Sequence, residues 1–439
     1  MEDNEITIGQ NLKKIRKDLN LRQYELAGDQ ITRNLISLIE NDRTPIYYNV
    51  ANIISKNINK IIHGKGNDIY IQPEDILNPE RYEARKQANV YIEKLNHHLI
   101  EKDYEFELEE LNEIETFLNK WNFIDKKVKA YELLGDIYYN AKDSNKEYYY
   151  YLKALEVSYE YPYMKERYKI ILKLVYNCIV TKKFDEAIRL CNFALSTQDD
   201  IPDKYKGVFY YNSALAYYNK KEYGKCLEQL INAKYYVSHD NHRETKRILV
   251  LEGICNSENE NYDGALRSYN KLLKVINKFE DPEELCLAYI NIIQIYIELE
   301  DDSNIVECKN KILGYLEKLD NTSFYLPKIL FSISNIYYYL KDYETCEKYL
   351  IEALSLSQNH KDTSLFPDVF IRTIDFYAET KQLNKIDTLV KIYRREICNL
   401  KINKDFIIIL KILYNFIEQN NNLDAKHLIK NLLDREVEK

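Results

Sequence analysis

Glycine and proline are scarce in this chain of 439 residues, which contains ten glycines and eight prolines. An average protein carries roughly 12% of these two residues together. Because glycine and proline end helices and form turns, their scarcity argues against glycine-rich nucleotide-binding folds and against all-β folds with many turns. The composition therefore predicts a mostly helical protein.

The sequence also lacks long apolar runs and paired cysteines. No run approaches the roughly 18 apolar residues of a membrane-spanning helix, and residues 1–20 lack the apolar segment of a signal peptide. None of the eight cysteines forms a CxxC pair, and no cysteine–histidine cluster has the spacing of a zinc site. We therefore expect a cytoplasmic protein with reduced cysteines, no membrane association, no metal and no other cofactor.

Signatures of catalysis are missing as well. The sequence has no glycine-rich phosphate loop, no HExxH motif and no Gly-x-Ser-x-Gly motif. We therefore expect a protein that acts by binding and is not an enzyme. The net charge of −8 argues against a protein that coats nucleic acid along its whole length, but it is compatible with one small DNA-binding module.

A small basic segment with helical periodicity stands near the N-terminus. Residues 8–62 hold nine Lys/Arg and five Asp/Glu, a net charge of +4 in an acidic chain. A second short helix is predicted to start near Gln23, and a third runs from Arg33 to about Asn41 behind Thr32 as N-cap. The first helix has apolar residues at helical spacing, which are Ile8, Leu12, Ile15 and Leu19.

Three strings in this segment resemble a known family. They are Gln23-Tyr24-Glu25-Leu26-Ala27, Ile31-Thr32-Arg33 and Ile36-Ser37-Leu38-Ile39-Glu40-Asn41. Their order and separation are similar to the phage-repressor-like (XRE/Cro) helix-turn-helix, over residues 7 to about 62. The stretch between the first two strings is one residue shorter than usual and lacks the usual glycine before the recognition helix.

The resemblance implies that the third helix enters the major groove of DNA with its first side chains at the base edges. Arg33 would then contact guanine, Asn34 adenine, and Leu38 a thymine methyl group. Gln23, Asn41 and Arg43 would contact phosphate, and Ser37 lies one turn further along the same face of the third helix. The predicted DNA-binding residues are Gln23, Thr32, Arg33, Asn34, Ser37, Leu38, Asn41 and Arg43.

Other roles remain open for parts of this segment. Arg16 and Glu40 resemble the internal ion pair of the family, so we assign them to structure. A module of this kind can mediate protein contacts alone, and Arg33 can be a solvated surface arginine. Leu35 and Leu38 can belong to a dimer or interdomain face instead of a DNA-binding surface.

A pattern of about 40 residues repeats through the rest of the chain. It follows a connector at 63–80, which holds two of the glycines and two of the prolines and which we interpret as the domain boundary. Tyrosine stands nine residues before five of the repeat anchors, and small residues stand twelve before and seven after several of them. The anchors are residues 107, 147, 187, 226, 265, 305, 346, 386 and 426.

This small–aromatic pattern, as in Gly135-Asp136-Ile137-Tyr138, resembles the tetratricopeptide repeat. The resemblance implies about nine helix pairs stacked in a right-handed superhelix with a concave face. The predicted fold is therefore all-α and has three parts. They are a helix-turn-helix DNA-binding domain at 1–62, a linker at 63–80, and a tetratricopeptide-repeat domain for ligand binding and dimerisation at 81–439.

In the tetratricopeptide family, one stripe of each first helix lines the concave groove, at offsets −18, −14 and −11 from the anchors here. Asparagine on this stripe can both donate to and accept from a peptide backbone, and lysine or arginine can bind a carboxylate. Because the whole chain is rich in Asn and Lys, a merely solvated stripe is the alternative. The predicted peptide-binding residues are Lys173, Tyr176, Asn212, Arg247, Asn291, Gln294, Asn335 and Arg372.

A helix-turn-helix followed by tetratricopeptide repeats resembles the peptide-pheromone receptors of Gram-positive bacteria, the RRNPP class. The resemblance implies a cytoplasmic quorum-sensing transcription regulator that binds double-stranded promoter DNA as a homodimer. A short signalling peptide in the groove would switch it. Two alternatives remain: a helical-repeat regulator that binds a protein partner such as a response regulator, and a DNA-binding regulator whose groove holds a protein tail.

Overall fold

The computed structural model describes residues 6–66, 69–104, 108–162, 164, 166–197, 200–237, 241–278, 281–320, 322–359 and 365–393. The regular elements of these residues are all helices, as the sequence predicts. The chain divides into two compact units, unit 1 up to His239 and unit 2 from Asp240. Within the described ranges, no helix combines the length and the apolar character that crossing a membrane requires.

Five helices at the start of the chain share one core and form what we call the N-terminal module. Leu12 and Ile15 are fully buried, as predicted, whereas Ile8 at the first turn is 38% exposed. Thr32 caps the third helix, its side chain accepting a hydrogen bond from the Leu35 N–H. The helices are α1 (Ile8–Asp18), α2 (Gln23–Ala27), α3 (Arg33–Glu40), α4 (Tyr48–Gly64) and α5 (Pro73–Leu77).

The segment predicted as a linker, 63–80, packs into this core where it is described. Ile71 and Ile76 are buried in the same cluster as the apolar residues of α1 to α4. Asn59 on α4 donates to and accepts from the Ile71 backbone, at 2.7 and 2.8 Å, and Asn11 on α1 donates to the Ile76 carbonyl at 2.9 Å. These amides satisfy backbone groups that burial removes from water. The described part of this segment is therefore packed, and the predicted linker at 63–80 and its domain limits stay predictions.

Helices in pairs make up the remaining described chain. Eight pairs are described, four in each unit; the predicted ninth pair and the anchor at 107 lie outside the described residues. Unit 1 contains α6 (Pro79–Glu101), α7 (Leu108–Trp121), α8 (Ile124–Asn140), α9 (Ser144–Ser158), α10 (Arg167–Val180), α11 (Phe184–Ser196), α12 (Asp203–Asn219) and α13 (Tyr223–Tyr236). Unit 2 contains α14 (His242–Glu258), α15 (Tyr262–Ile276), α16 (Pro282–Glu298), α17 (Asp302–Leu316), α18 (Leu326–Tyr339), α19 (Tyr343–Asn359), α20 (Leu365–Glu379) and α21 (Leu383–Ile392).

The turns inside the pairs follow a recurring pattern of backbone hydrogen bonds. In the turn after α8, the Asp143 N–H donates to the Tyr138 carbonyl at 3.0 Å and the Lys142 N–H donates to the Tyr139 carbonyl at 3.2 Å. This is the Schellman ending of a helix, in which glycine is the usual left-handed residue. Here lysine or glutamate takes that place with φ between 53° and 62°, so the chain makes its turns without glycine. The left-handed residues are Lys102, Lys142, Lys182, Lys221, Glu260, Glu300, Lys341 and Lys381.

Glycine is instead used where the two helices of a pair approach closely. A Cβ built on Gly135 would lie 2.4 Å from the Tyr151 ring, and one on Gly253 would lie 2.6 Å from the Tyr269 ring. Both glycines stand twelve residues before an anchor and both tyrosines four residues after it, so the contact belongs to the repeat. The sequence pattern predicts the small residue but not the tyrosine that fills the space beside it.

We predict that Gly253→Ala destabilises unit 2 by about 1–3 kcal/mol, the usual cost of overpacking a core. The added methyl group would meet the ring of Tyr269, which is 2% exposed. Gly314→Ala on α17 is the control, because a Cβ there meets nothing within 4 Å. The control should gain up to about 1 kcal/mol from helix propensity. Urea unfolding measures both changes, and equal stability of the two variants would contradict the close approach.

Candidate functional site

The start of α3 presents polar side chains outward from the N-terminal module. Arg33 and Asn34 are exposed in its first turn, while Ile36 and Ile39 on the opposite face are buried. Thr32 fixes this turn, since its hydroxyl oxygen accepts from the Leu35 N–H at 3.2 Å. The arginine and the asparagine are therefore carried on a capped and anchored helix.

One buried carboxylate connects α1, α2 and α3. Glu40, which is 3% exposed, accepts hydrogen bonds from Arg16 Nε at 2.6 Å and Nη2 at 2.9 Å, and from Gln23 Nε2 at 2.8 Å. The hydrogen bond to Glu40 raises the pKa of the Arg16 guanidinium. The predicted Arg16–Glu40 pair is confirmed. Gln23 is predicted to contact phosphate, and in the structure its amide orients α2 against α3.

The other predicted DNA-binding residues lie along α3 and the turn after it. Leu38 is 40% exposed and Arg43 is exposed. Asn41 is also exposed, and its Nδ2 donates to the carbonyl of the half-buried Ser37 at 2.7 Å. The structure thus places all eight predicted residues on α2, α3 and their flanking turns, and contact with DNA stays a prediction for each. Sequence analysis did not single out Tyr47, which is 71% exposed just before α4.

In unit 1, two predicted peptide-binding residues lie on α10 beside α8. Lys173 Nζ lies 2.8 Å from Glu132 Oε1 and 2.7 Å from Asp136 Oδ1, and we call these three residues the α8–α10 cluster. Burial lowers the pKa of Lys173, but hydrogen bonds to Asp136 and Glu132 outweigh it, so the pKa is raised. The lysine predicted to bind a ligand carboxylate therefore already has two carboxylate partners within the protein.

An aromatic surface adjoins this cluster. Tyr176 on α10 is 51% exposed and Tyr139 on α8 is 47% exposed, and their ring centroids are 5.9 Å apart in an edge-on arrangement. A hydrogen bond to Tyr176 raises the pKa of Tyr139. Asn212, the third predicted residue of unit 1, is half-buried on α12. The described surface of α8, α10 and α12 therefore combines tyrosine rings with an amide.

In unit 2, Asn335 and Arg372 contact each other. The Arg372 guanidinium lies 4.1 Å from the centre of the Tyr338 ring, Nε donates to Asn335 Oδ1 at 3.3 Å, and Nη1 lies 3.4 Å from Glu379 Oε2. Tyr338 also donates to Glu379 at 2.6 Å. We call these four residues the α18–α20 cluster.

The remaining predicted residues of unit 2 lie on α14 and α16. Asn291 is half-buried and Gln294 is exposed on α16. Arg247 on α14 is exposed and lies 3.4 Å from Glu244 Oε1, one turn earlier. Peptide contact stays a prediction for all eight residues of the set.

Sequence analysis missed the acidic partners of these cations, although the repeat contains the signal. Lys173 is 41 residues from Glu132 and 37 from Asp136, and Tyr338 is 41 from Glu379. Side chains separated by about one repeat thus meet on neighbouring first helices. A search for opposite charges at this separation would have found both acids of the α8–α10 cluster.

Comparison with known proteins gives structural likeness only. No known protein family matches the sequence, and no curated protein matches it. The chain is similar to the apo form of RapI, at 14% identity over 81% of this chain and 98% of that one, with a TM-score of 0.49. It is also similar to aspartyl phosphate phosphatase F from Bacillus subtilis, at 14% identity over 89% and 94% of the two chains, with a TM-score of 0.46.

A further similar structure is PlcR from Bacillus thuringiensis, which was solved in complex with the peptide PapR7 and DNA. The identity is 15% over 71% of this chain and 95% of that one, and the TM-score is 0.34. Identities and TM-scores at this level assign none of the properties of these proteins to this chain.

We predict that replacing Arg33 and Asn34 together by alanine abolishes specific DNA binding and leaves the fold intact, because both side chains are exposed. A good bidentate base contact is worth about 1–3 kcal/mol, so each loss should weaken binding roughly 5- to 150-fold. Fluorescence anisotropy with labelled upstream DNA measures the effect. Lys60→Ala on α4 removes a comparable charge and should change affinity little. Unchanged affinity in the double variant would remove α3 from the DNA-binding surface.

Proposed function

We propose that this protein is a transcription regulator of the RRNPP type, with an XRE-type helix-turn-helix that binds promoter DNA. The observation that carries the proposal is the exposed Arg33–Asn34 pair at the capped start of α3. Arginine and asparagine are the side chains that pair most specifically with guanine and adenine in the major groove. The net charge of +4 over 8–62 favours the approach of this module to DNA.

The geometry around Glu40 supports the same role. Reading bases requires that the helix which enters the groove keeps a fixed angle to the helix before it. Glu40 bonds to both Arg16 and Gln23, so one carboxylate sets the positions of α1 and α2 relative to α3. A charge-assisted network of this kind is stronger than neutral hydrogen bonds.

We further propose that a short signalling peptide binds along the first helices of the pairs. The amides of Asn212, Asn291 and Gln294 offer a donor and an acceptor each, which suits an extended peptide backbone. Lys173 and Arg372 already lie beside protein carboxylates, so a terminal carboxylate of the ligand is less suited to them than the sequence predicts. The exposed Tyr176 ring offers a surface for an apolar side chain.

The remaining features of the proposal come from the resemblance noted in the sequence. The regulator would act in the cytoplasm as a homodimer, sense a peptide of a quorum-sensing system, and work by binding without catalysis. Two-fold symmetry would place two copies of α3 one helical turn of DNA apart. A ligand that alters this spacing changes affinity for DNA by linkage, and DNA changes affinity for the ligand by the same factor.

A titration of DNA from the gene's own upstream region tests the proposal. It is run with and without synthetic fragments of any adjacent small open reading frame, at one fixed salt concentration because phosphate contacts depend on salt. We expect specific binding whose affinity shifts when one peptide is added. Specific binding that ignores every peptide would contradict the peptide-switched part and favour a protein tail. Absence of specific binding would contradict the DNA-binding part and favour a partner such as a response regulator.

We predict that replacing Asn212 and Asn291 together by alanine weakens peptide binding by roughly tenfold or more, since each lost hydrogen bond costs about 1 kcal/mol. DNA affinity of the ligand-free protein should change little. The control replaces Asn145 and Asn270, which are exposed on the second helices α9 and α15, one in each unit. Isothermal titration calorimetry gives both affinities, and full retention of peptide affinity would exclude these amides from the site.

A further inference from the structure

Four ionisable side chains are buried together where the N-terminal module meets the helix pairs. Asp75 lies on α5, Arg81 and Arg85 on α6, and Asp125 on α8, and their exposures range from 0% to 7%. We call them the buried ion cluster. Two positive and two negative charges cancel, which is the condition under which buried charges are tolerated.

Arg85 bridges the two aspartates. Its Nη1 donates to both carboxylate oxygens of Asp125 at 2.9 and 2.8 Å, and its Nη2 donates to Asp75 Oδ2 at 2.8 Å and to the Tyr70 carbonyl at 2.7 Å. Burial lowers the pKa of Arg85, but Asp125 and Asp75 outweigh it and the pKa is raised. This one side chain therefore joins α5, the segment before it, and α8.

Arg81 adds a second bridge. It pairs with Asp75, and its Nε donates to the Trp121 carbonyl at 2.9 Å and its Nη2 to the Asn122 carbonyl at 3.1 Å. The guanidinium carbons of Arg81 and Arg85 each lie 4.7 Å from the centre of the Phe123 ring. The turn between α7 and α8 is thereby fastened to the start of α6.

Contacts away from the cluster cross the same boundary. Lys14 on α1 pairs with Glu83 on α6, and the Tyr82 hydroxyl donates to Asp18 at 3.1 Å. At the other end of the module, His63 Nε2 lies 3.4 Å from the hydroxyl oxygen of the buried Tyr161, in the loop between α9 and α10. The module is therefore attached on several sides.

We propose that the N-terminal module and helices α6 to α8 form one rigid body, locked by the buried ion cluster, so that α3 moves only when this whole body moves. Bending at 63–80 would separate Asp75 from Arg81 and Arg85 and leave uncompensated charges in a dry site, which is strongly unfavourable. This rigid attachment, which we call the lock, is inferred from the contacts alone. Its consequence for signalling, that the ligand repositions this body without a hinge at 63–80, rests on the proposed function.

Native-state hydrogen exchange of the full-length protein tests the lock. Exchange is followed by mass spectrometry across a urea series below the unfolding transition, because segments that open together share one dependence on urea. We expect the slowest amides of α1 to α5 to share the dependence of those in α6 to α8. When the urea series is continued through unfolding, the fluorescence of Trp121, the single tryptophan of the chain, should change in one transition shared by α1 to α8. An earlier, separate opening of α1 to α5 would overturn the proposal.

Asp125→Asn removes one charge of the cluster and keeps the shape of the side chain. We expect the shared urea dependence to split, with α1 to α5 exchanging at least tenfold faster than in the unaltered protein. Glu115→Gln is the matched control, since Glu115 pairs with Lys153 at 3.0 Å nearer the surface. Identical exchange in the two variants would overturn the proposal. If Asp125→Asn does not fold, the urea dependence of hydrogen exchange in the unaltered protein still tests the proposal.

The DNA titration separates this inference from the proposed function. Joint opening of α1 to α8 in a protein that binds no specific DNA would support the lock and contradict only the DNA-binding role. Separate opening in a protein that does bind DNA would overturn the lock and leave that role in place.

Discussion

The attachment of the N-terminal module to the helix pairs depends on four buried charges that balance one another. Asp75, Arg81, Arg85 and Asp125 come from three helices, and each charge is acceptable in the interior only while the others stay in place. Asn59 and Asn11 also hold this part of the chain, because they bond to the backbone of Ile71 just before α5 and of Ile76 within it. The cluster therefore joins the module that contains α3 to helices α6 and α8.

The helix pairs obey a different constraint, which is close approach. Gly135 and Gly253 let a tyrosine ring of the partner helix lie against the backbone, and the Schellman endings orient each second helix. Lysine or glutamate takes the left-handed position of those endings, which accounts for a helical-repeat chain with only ten glycines. Burial of the small anchor residues Ala187, Cys226 and Ala265 agrees with the repeat predicted from sequence spacing.

Charge pairing between neighbouring first helices changes the chemistry expected of the proposed ligand surface. Lys173 and Arg372 are predicted as free cations from the sequence. Lys173, however, lies beside two acids about one repeat away on α8, and Arg372 lies beside Glu379, seven residues later on its own helix. The amides and tyrosine rings are then the groups left to recognise a peptide, which favours contacts with its backbone and apolar side chains. Because the acids beside Lys173 lie about one repeat away in sequence, the sequence predicts the stripe of ligand-binding residues but not these acids.

Local signals were sufficient for the helices, the Thr32 cap, the Arg16–Glu40 pair and the 40-residue period, because each depends on residues near in sequence or on a spacing that recurs. The glycines and prolines of the segment 63–80 indicate its local backbone, but they do not indicate that Ile71 and Ile76 pack into the core of the module. Whether Ile71, Asp75 and Arg85 are buried is decided by α1, α6 and α8, which fold back from distant parts of the chain. Sequence determined where the charges and turns lie. Only the tertiary structure decided which charges cancel, because that depends on distances between residues as far apart in sequence as Lys14 and Glu83, which are 69 positions apart.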